Sequence, residues 1–145
     1  MSDVLTLSQV RMPGTARTKD DAIRESGQIL VDAGAVEPAY IDSMFDRERS
    51  VSTYMGNYLA IPHGTNESKE SIKRSALSVV RYPEPIDWDG NEVLFALGIA
   101  GYQGGHMDIL SRIAIVFSDT DEVDKLVAAR SAEEIYQLLN AVNEA

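Results

Sequence analysis

The chain has 145 residues, 44% of them hydrophobic, and a formal net charge of −10. That length and apolar content fit one domain with a packed core, and no run approaches the roughly 20 apolar residues that span a bilayer. The absence of cysteine excludes disulfides, thiolate catalysis and cysteine-ligated metals, while the acidic balance argues against nucleic acid and suits a basic protein partner.

In chain order, the apolar positions between Val4 and Met12 predict one or two brief strands. Thr18 opens a helix with Asp21 as its capping-box partner and Ala22, Ile23, Ile29, Leu30 and Ala33 as its apolar face. Gly34 suits the left-handed position that ends it. Pro38 fits the first turn of a second helix, which turns Tyr40, Ile41, Met44 and Phe45 inward and closes on Asp46-Arg47-Glu48-Arg49. A polar link, Ser50 to Gly56, leads to a strand over Tyr58–Ile61, and a short helical turn is expected from Asn66.

Ser75–Tyr82 reads as a strand terminated by Pro83 and Pro85. Asp89-Gly90 signals a turn into a nearly continuous apolar strand, Glu92–Ala100, covered on both faces. A Gly-rich loop over Gly101–Gly105 precedes a helix with Leu110, Ile113, Ala114 and Phe117 at helical spacing. A further piece holds Val123, Leu126 and Val127. The last helix starts at Ser131, with Glu134 as capping partner, and buries Ile135, Leu138, Leu139 and Val142. Strands and helices interleave without repeats or linkers, so the expected fold is α/β: a three-layer α/β/α sandwich on a small mixed β-sheet, one domain over residues 1–145.

The chemistry concentrates in Gly56-Asn57-Tyr58-Leu59-Ala60-Ile61-Pro62-His63-Gly64-Thr65, where an apolar strand ends at Pro-His-Gly. Neutral imidazole is a nucleophile near neutral pH, so His63 is a candidate to carry a covalent group. The second histidine, His106, also follows an apolar strand and a glycine, so both rings are expected at one sheet edge, where open α/β sheets place functional groups. The start of the helix near His106 offers N–H groups and positive potential to a phosphate and disfavours protonation of that ring. Arg47 is a bidentate candidate for phosphoryl oxygens, or an exposed arginine paired with Asp46 or Glu48. The Thr53 and Thr65 hydroxyls can donate hydrogen bonds, although capping is their commoner use. No Gly-x-Ser-x-Gly elbow, Walker-type loop, HxxxH or HExxH spacing occurs, so no metal or cofactor is expected. The carboxylates read as a solvated acidic surface, and Trp88 as a packing residue at a turn.

These residues resemble a known family. Asp46-Arg47-Glu48, Ser52-Thr53-Tyr54-Met55-Gly56-Asn57 and Ala60-Ile61-Pro62-His63-Gly64-Thr65 are similar to the mannitol/fructose-type IIA proteins of the bacterial phosphoenolpyruvate-dependent sugar phosphotransferase system. The likeness continues through Tyr82-Pro83-Glu84, Trp88-Asp89-Gly90, Gly98-Ile99-Ala100, Gly105-His106 and Ile113-Ala114, and so covers nearly the whole chain. Thr-Tyr-Met-Gly-Asn and Thr65 resemble the mannitol branch. The resemblance implies that His63 takes a phosphoryl group from phospho-HPr and passes it to the IIB component. It implies an orienting, stabilising role for His106 and phosphoryl stabilisation by Arg47, with Thr53, Asn57, Gly64 and Thr65 in support. Asn57 stands where some mannitol-type members carry an acidic residue. The chain resembles a free-standing cytoplasmic IIA. Two other readings of the same fold are a regulatory IIA-like domain and a non-catalytic cytosolic binding domain.

Overall fold

The two long apolar runs pair with each other and form the spine of the sheet. The computed structural model describes residues 4–65, 70–102 and 105–143, with His106 and Ala141 described by backbone alone. β4 (Ala76–Trp88) and β5 (Asn91–Ala100) form an antiparallel hairpin across the Asp89-Gly90 turn, both turn residues having positive φ, as a right-twisted two-residue connection requires. β1 (Val10–Arg11) adds in parallel to β4, and β3 (Leu59–Ala60) in parallel to β5. β2 (Tyr54–Gly56) pairs antiparallel with β3, giving the order β1-β4-β5-β3-β2.

Helices cover both faces, as expected for three layers. α1 (Lys19–Asp32) and α2 (Ala39–Ser50) pack on one side, where Ala60, Ala76, Val80, Ala96 and Ala100 point. α3 (His106–Phe117), α4 (Thr120–Ala128) and α5 (Ala132–Leu139) cover the other, over Leu77, Val79, Phe95, Leu97 and Ile99. Beneath Ser26 of α1 the sheet presents the small residues Ser78 and Gly98, so the helix backbone comes close. Ser78 Oγ donates to the Ser26 carbonyl at 2.8 Å and accepts from the Gly98 N–H at 3.1 Å. A methyl group at Gly98 would stand 2.5 Å from Ser78 Oγ, and one at Gly27 would stand 2.9 Å from Ile41 Cγ1 and Met44 Sδ. Glycine is required at both contacts by space rather than by backbone angle.

Several local signals act as the sequence suggests. Thr18 and Ser131 accept the N–H of the residue three positions on, and Gly34 sits at φ 75° past the end of α1. The Asp21 carboxylate, however, accepts from Arg24 rather than reaching back to the cap. Three readings are corrected. The prolines do not end β4. Four residues, Tyr82–Pro85, bulge between the pairs Arg81–Phe95 and Ile86–Val93, opposite Leu94 alone, so missing proline N–H groups cost no ladder bond. Tyr58 lies in the turn before β3, with Asn57 and Tyr58 both at positive φ, and the link before it contains the edge strand β2. In α3, Ile109, Ile113 and Phe117 are buried, Leu110 is partly buried and Ala114 is exposed. The helical turn expected from Asn66 falls on residues 66–69, outside the described residues.

Candidate active site

His63 continues the line of β3. Beyond Ala60, the Ile61 N–H donates to the Thr53 carbonyl at 3.0 Å, and the Pro62 carbonyl accepts from the Ile99 N–H at 3.0 Å. His63 and Ile99 form a parallel bridge, so the histidine stands where its strand leaves the sheet. Its ring turns back on its own backbone, with Nδ1 2.8 Å from the Ile61 carbonyl. A carbonyl only accepts, so Nδ1 carries the proton and, in the neutral ring, Nε2 carries the nucleophilic lone pair. The tautomer follows from the chain's own geometry.

The residue after it is held as well. The Gly64 N–H donates to the Tyr40 hydroxyl at 2.8 Å, and that hydroxyl donates to the Ile99 carbonyl at 2.7 Å. Tyr40 is 2% exposed, and its burial pushes the phenol up to about 12 against its ordinary 10.0.

Beneath the strand lies a buried carboxylate. Tyr40, Met44 and Glu48 form one buried stripe of α2. The Glu48 carboxylate accepts from the Thr53 N–H at 2.9 Å, from the Thr53 hydroxyl, and from Trp88 Nε1 at 3.3 Å. Lys19 Nζ lies 3.5 Å away and compensates its charge. Thr53 is thus buried, its hydroxyl directed to Glu48, and it supports the histidine through its carbonyl bond to Ile61. Trp88 is a fully buried packing residue, as the sequence suggests, and also a donor to this cluster.

His106 is the first residue of α3, after the N-cap Gly105. Because β3 and β5 run parallel, the segments carrying His63 and His106 leave from the carboxyl ends of neighbouring strands, which brings the two positions to one sheet edge. Ser75 Oγ holds the intervening loop by accepting from the Tyr102 N–H at 2.9 Å. Arg47, in the last turn of α2, donates to the Val51 carbonyl at 2.8 Å. It is not paired as the sequence alternative had it, since Asp46 pairs with Arg49 and Glu48 faces inward. Thr65 lies two residues beyond His63 and is half-buried.

Asn57 is at the opposite end of β3 from His63, in the hairpin turn, where its Nδ2 donates to the Phe117 carbonyl at the end of α3 at 2.7 Å. It joins the hairpin to that helix and is not brought to the histidine.

Sequence reasoning missed the Tyr40 hydroxyl and Glu48. Their signal was the spacing itself, because 40, 44 and 48 mark a single helical face, and a carboxylate on that face implies a buried acceptor. A groove of about 610 Å³ lies elsewhere, between Gly14–Arg17 and the β4 bulge at Pro83–Ile86.

Comparison with known proteins finds a family match over nearly the whole chain. Residues 3–142 match the family described as phosphoenolpyruvate-dependent sugar phosphotransferase system, EIIA 2. The chain is 48% identical over 141 residues, 97% of each partner, to the mannitol-specific phosphotransferase enzyme IIA component of Halalkalibacterium halodurans. It superposes with a TM-score of 0.88 on the complex of enzyme IIA mannitol and phosphorylated enzyme IIB mannitol from Escherichia coli. That match has 29% identity and covers 94% of this chain and 97% of the other. The crystal structure of Escherichia coli IIA mannitol gives 0.86, at 30% identity over 93% and 98%.

Proposed function

The chain belongs to the EIIA type 2 family of the phosphoenolpyruvate-dependent sugar phosphotransferase system, and from that premise we propose that it is the mannitol-specific IIA phosphocarrier, with His63 as the residue that holds the phosphoryl group. It is a phosphotransferase component that receives phosphate from phospho-HPr and passes it to IIB. Relatives at 48% identity are named mannitol-specific phosphotransferase enzyme IIA component, which favours this reading over the regulatory and binding-domain alternatives.

The observation that carries the assignment of His63 is the Nδ1–Ile61 hydrogen bond. It leaves Nε2 as the attacking atom. The Nε2 lone pair forms the bond to phosphorus while the bond to the donor breaks, its electron pair leaving with the donor. The positive charge that develops on the ring is stabilised by the Ile61 carbonyl through Nδ1–H. In the second step the acceptor on IIB attacks the same phosphorus and the ring recovers its lone pair. Phosphoryl transfer relies on positioning and electrostatics. The N-terminal N–H groups of α3 and the guanidinium of Arg47 are suited to the phosphoryl oxygens. His106, at that helix start, is the orienting and stabilising ring. Gly64 and Thr53 hold the strand end, and Thr65 lies beside it.

Among the described residues no helix is long and apolar enough to cross a membrane. The proposed relay with HPr and IIB fits a cytoplasmic location, and the family match over residues 3–142 supports reading the chain as one domain.

Incubation with phosphoenolpyruvate, Enzyme I and HPr, followed by mass spectrometry under alkaline conditions, tests the assignment. The label is expected on His63 and absent from His63→Ala; full labelling of that variant refutes it. His106→Ala is expected to accept phosphate and pass it on more slowly. A folded His106→Ala protein without any label would overturn the division of labour.

A further inference from the structure

In a parallel pair, the residue opposite a bridge partner receives one backbone bond from each side of it. The His63–Ile99 bridge therefore calls for Ile99 N–H to reach the Pro62 carbonyl and for Gly64 N–H to reach the Ile99 carbonyl. The first bond is made directly, at 3.0 Å. In the second a phenol intervenes, with Gly64 N–H to Tyr40 Oη at 2.8 Å and Tyr40 Oη to the Ile99 carbonyl at 2.7 Å.

We propose that Tyr40 is a positioning residue for phosphoryl transfer, its hydroxyl inserted into the last rung between β3 and β5 so that the chain turns away from the sheet at His63 with the ring's direction fixed. The proposal rests on the reading of His63 as the phosphoryl carrier.

The hydrogen-bond chemistry allows one arrangement. Ile99 O can only accept and Gly64 N–H can only donate, so the single phenol proton lies toward Ile99. Tyr40 must be neutral to do this, which its buried position favours. The backbone on both sides of His63 is thereby tied to one residue of β5, at Pro62 O and at Gly64 N. What remains is rotation of the imidazole, which the Nδ1–Ile61 bond restrains. Nε2 is thus aimed before a partner docks, and the orientation is prepaid in folding. The latch also links the histidine turn to α2, whose last turn carries Arg47.

Tyr40→Phe removes one oxygen atom and keeps the ring that fills the core. The variant is expected to fold, and its turnover with phospho-HPr should fall about tenfold to a hundredfold with KM unchanged. The Gly64 amide resonance should shift and its hydrogen exchange accelerate. A phenol that merely stabilised the fold would lower Tm and leave turnover per folded molecule intact, and that result overturns the proposal. Should the variant not fold, the wild-type protein decides: the Gly64 amide is expected to be protected from exchange, and exchange at an unprotected rate overturns the proposal. In the same assay, wild-type protein without label at His63 would sink the functional reading and this inference together. Labelled wild type beside an equally fast Tyr40→Phe sinks the inference alone.

Discussion

Glu25 on α1 and Glu48 on α2 are both nearly buried on the same side of the sheet, 8% and 6% exposed, and both collect a parallel set of donors. Glu25 accepts from the Thr15 N–H and hydroxyl, each at 3.0 Å, from the Ala16 N–H at 3.1 Å, from the Tyr82 hydroxyl at 3.0 Å and from Arg11 at 3.0 Å. Glu48 accepts from the Thr53 N–H and hydroxyl, from Trp88 Nε1 and from Lys19. Each is a carboxylate that pins a threonine, an aromatic donor and a cation. They differ in what the threonine holds. Thr15 leads to the groove at Gly14–Arg17, whereas the Thr53 carbonyl holds Ile61, whose own carbonyl holds the His63 ring. The same anchoring device is structural in one region and two hydrogen bonds removed from the chemistry in the other.

Removing each anchor should separate the two roles. Glu48→Ala leaves the Thr53 and Trp88 donors buried without an acceptor and is expected to cost about 3–5 kcal/mol. It should also slow phosphoryl transfer in the molecules that remain folded. Urea unfolding and a transfer assay read the two effects, and an unchanged transfer rate per folded molecule would break the link from Glu48 to the histidine. Glu25→Ala should lose stability by about 2–4 kcal/mol for the same reason, yet transfer at the wild-type rate below its unfolding temperature. A slowed rate there would show that the regions are not separate.

Thr53→Val and Thr15→Val sharpen the contrast with smaller changes. Each removes one hydroxyl donor and should cost about 1–2 kcal/mol, but only the first is expected to lower turnover, measured with phospho-HPr as donor. The smallest effect is in acid. Burial alone raises the Glu25 carboxyl, but the bonds from Thr15, Arg11 and Ala16 outweigh it and hold it below the ordinary 4.5. The unfolded chain then binds the extra proton first, so stability rises with pH through that window. The contribution is complete above the ordinary glutamate value and is lost as pH falls through the folded one. Glu25→Gln should flatten this acid limb, and an unaltered pH profile of unfolding would contradict the anchoring set.

Local signals made much of the architecture legible. Thr18, Gly34 and the apolar run of β5 marked their elements because caps and burial on both faces act within a few residues. The placement of both histidine segments at one sheet edge followed from their like positions after apolar strands, which the parallel β3–β5 pairing explains. Non-local features were hidden. β2 is three residues long at a sheet edge and carries little pattern. β4 passes two prolines because only Leu94 of β5 stands opposite the bulge, and its N–H bonds the Tyr58 carbonyl instead. Tyr40 bonds a carbonyl 59 positions away, so its hydroxyl read only as part of an apolar helix face. Glu25 and Glu48 read as solvated because their donors come from loops and strands that fold over them.

The close approach at Ser26-Gly27 carries a consequence for the whole upper layer. α1 rests on Gly98 and Ser78 on one side and on Ile41 and Met44 on the other. It therefore acts as a shim, setting how far the second helix stands from the fifth strand. Thickening the shim by one methyl at residue 27 would press against the turn that bears Tyr40 and open the gap its phenol now bridges. A residue with no polar side chain of its own can in this way detune a nucleophile on the far side of the helix pair.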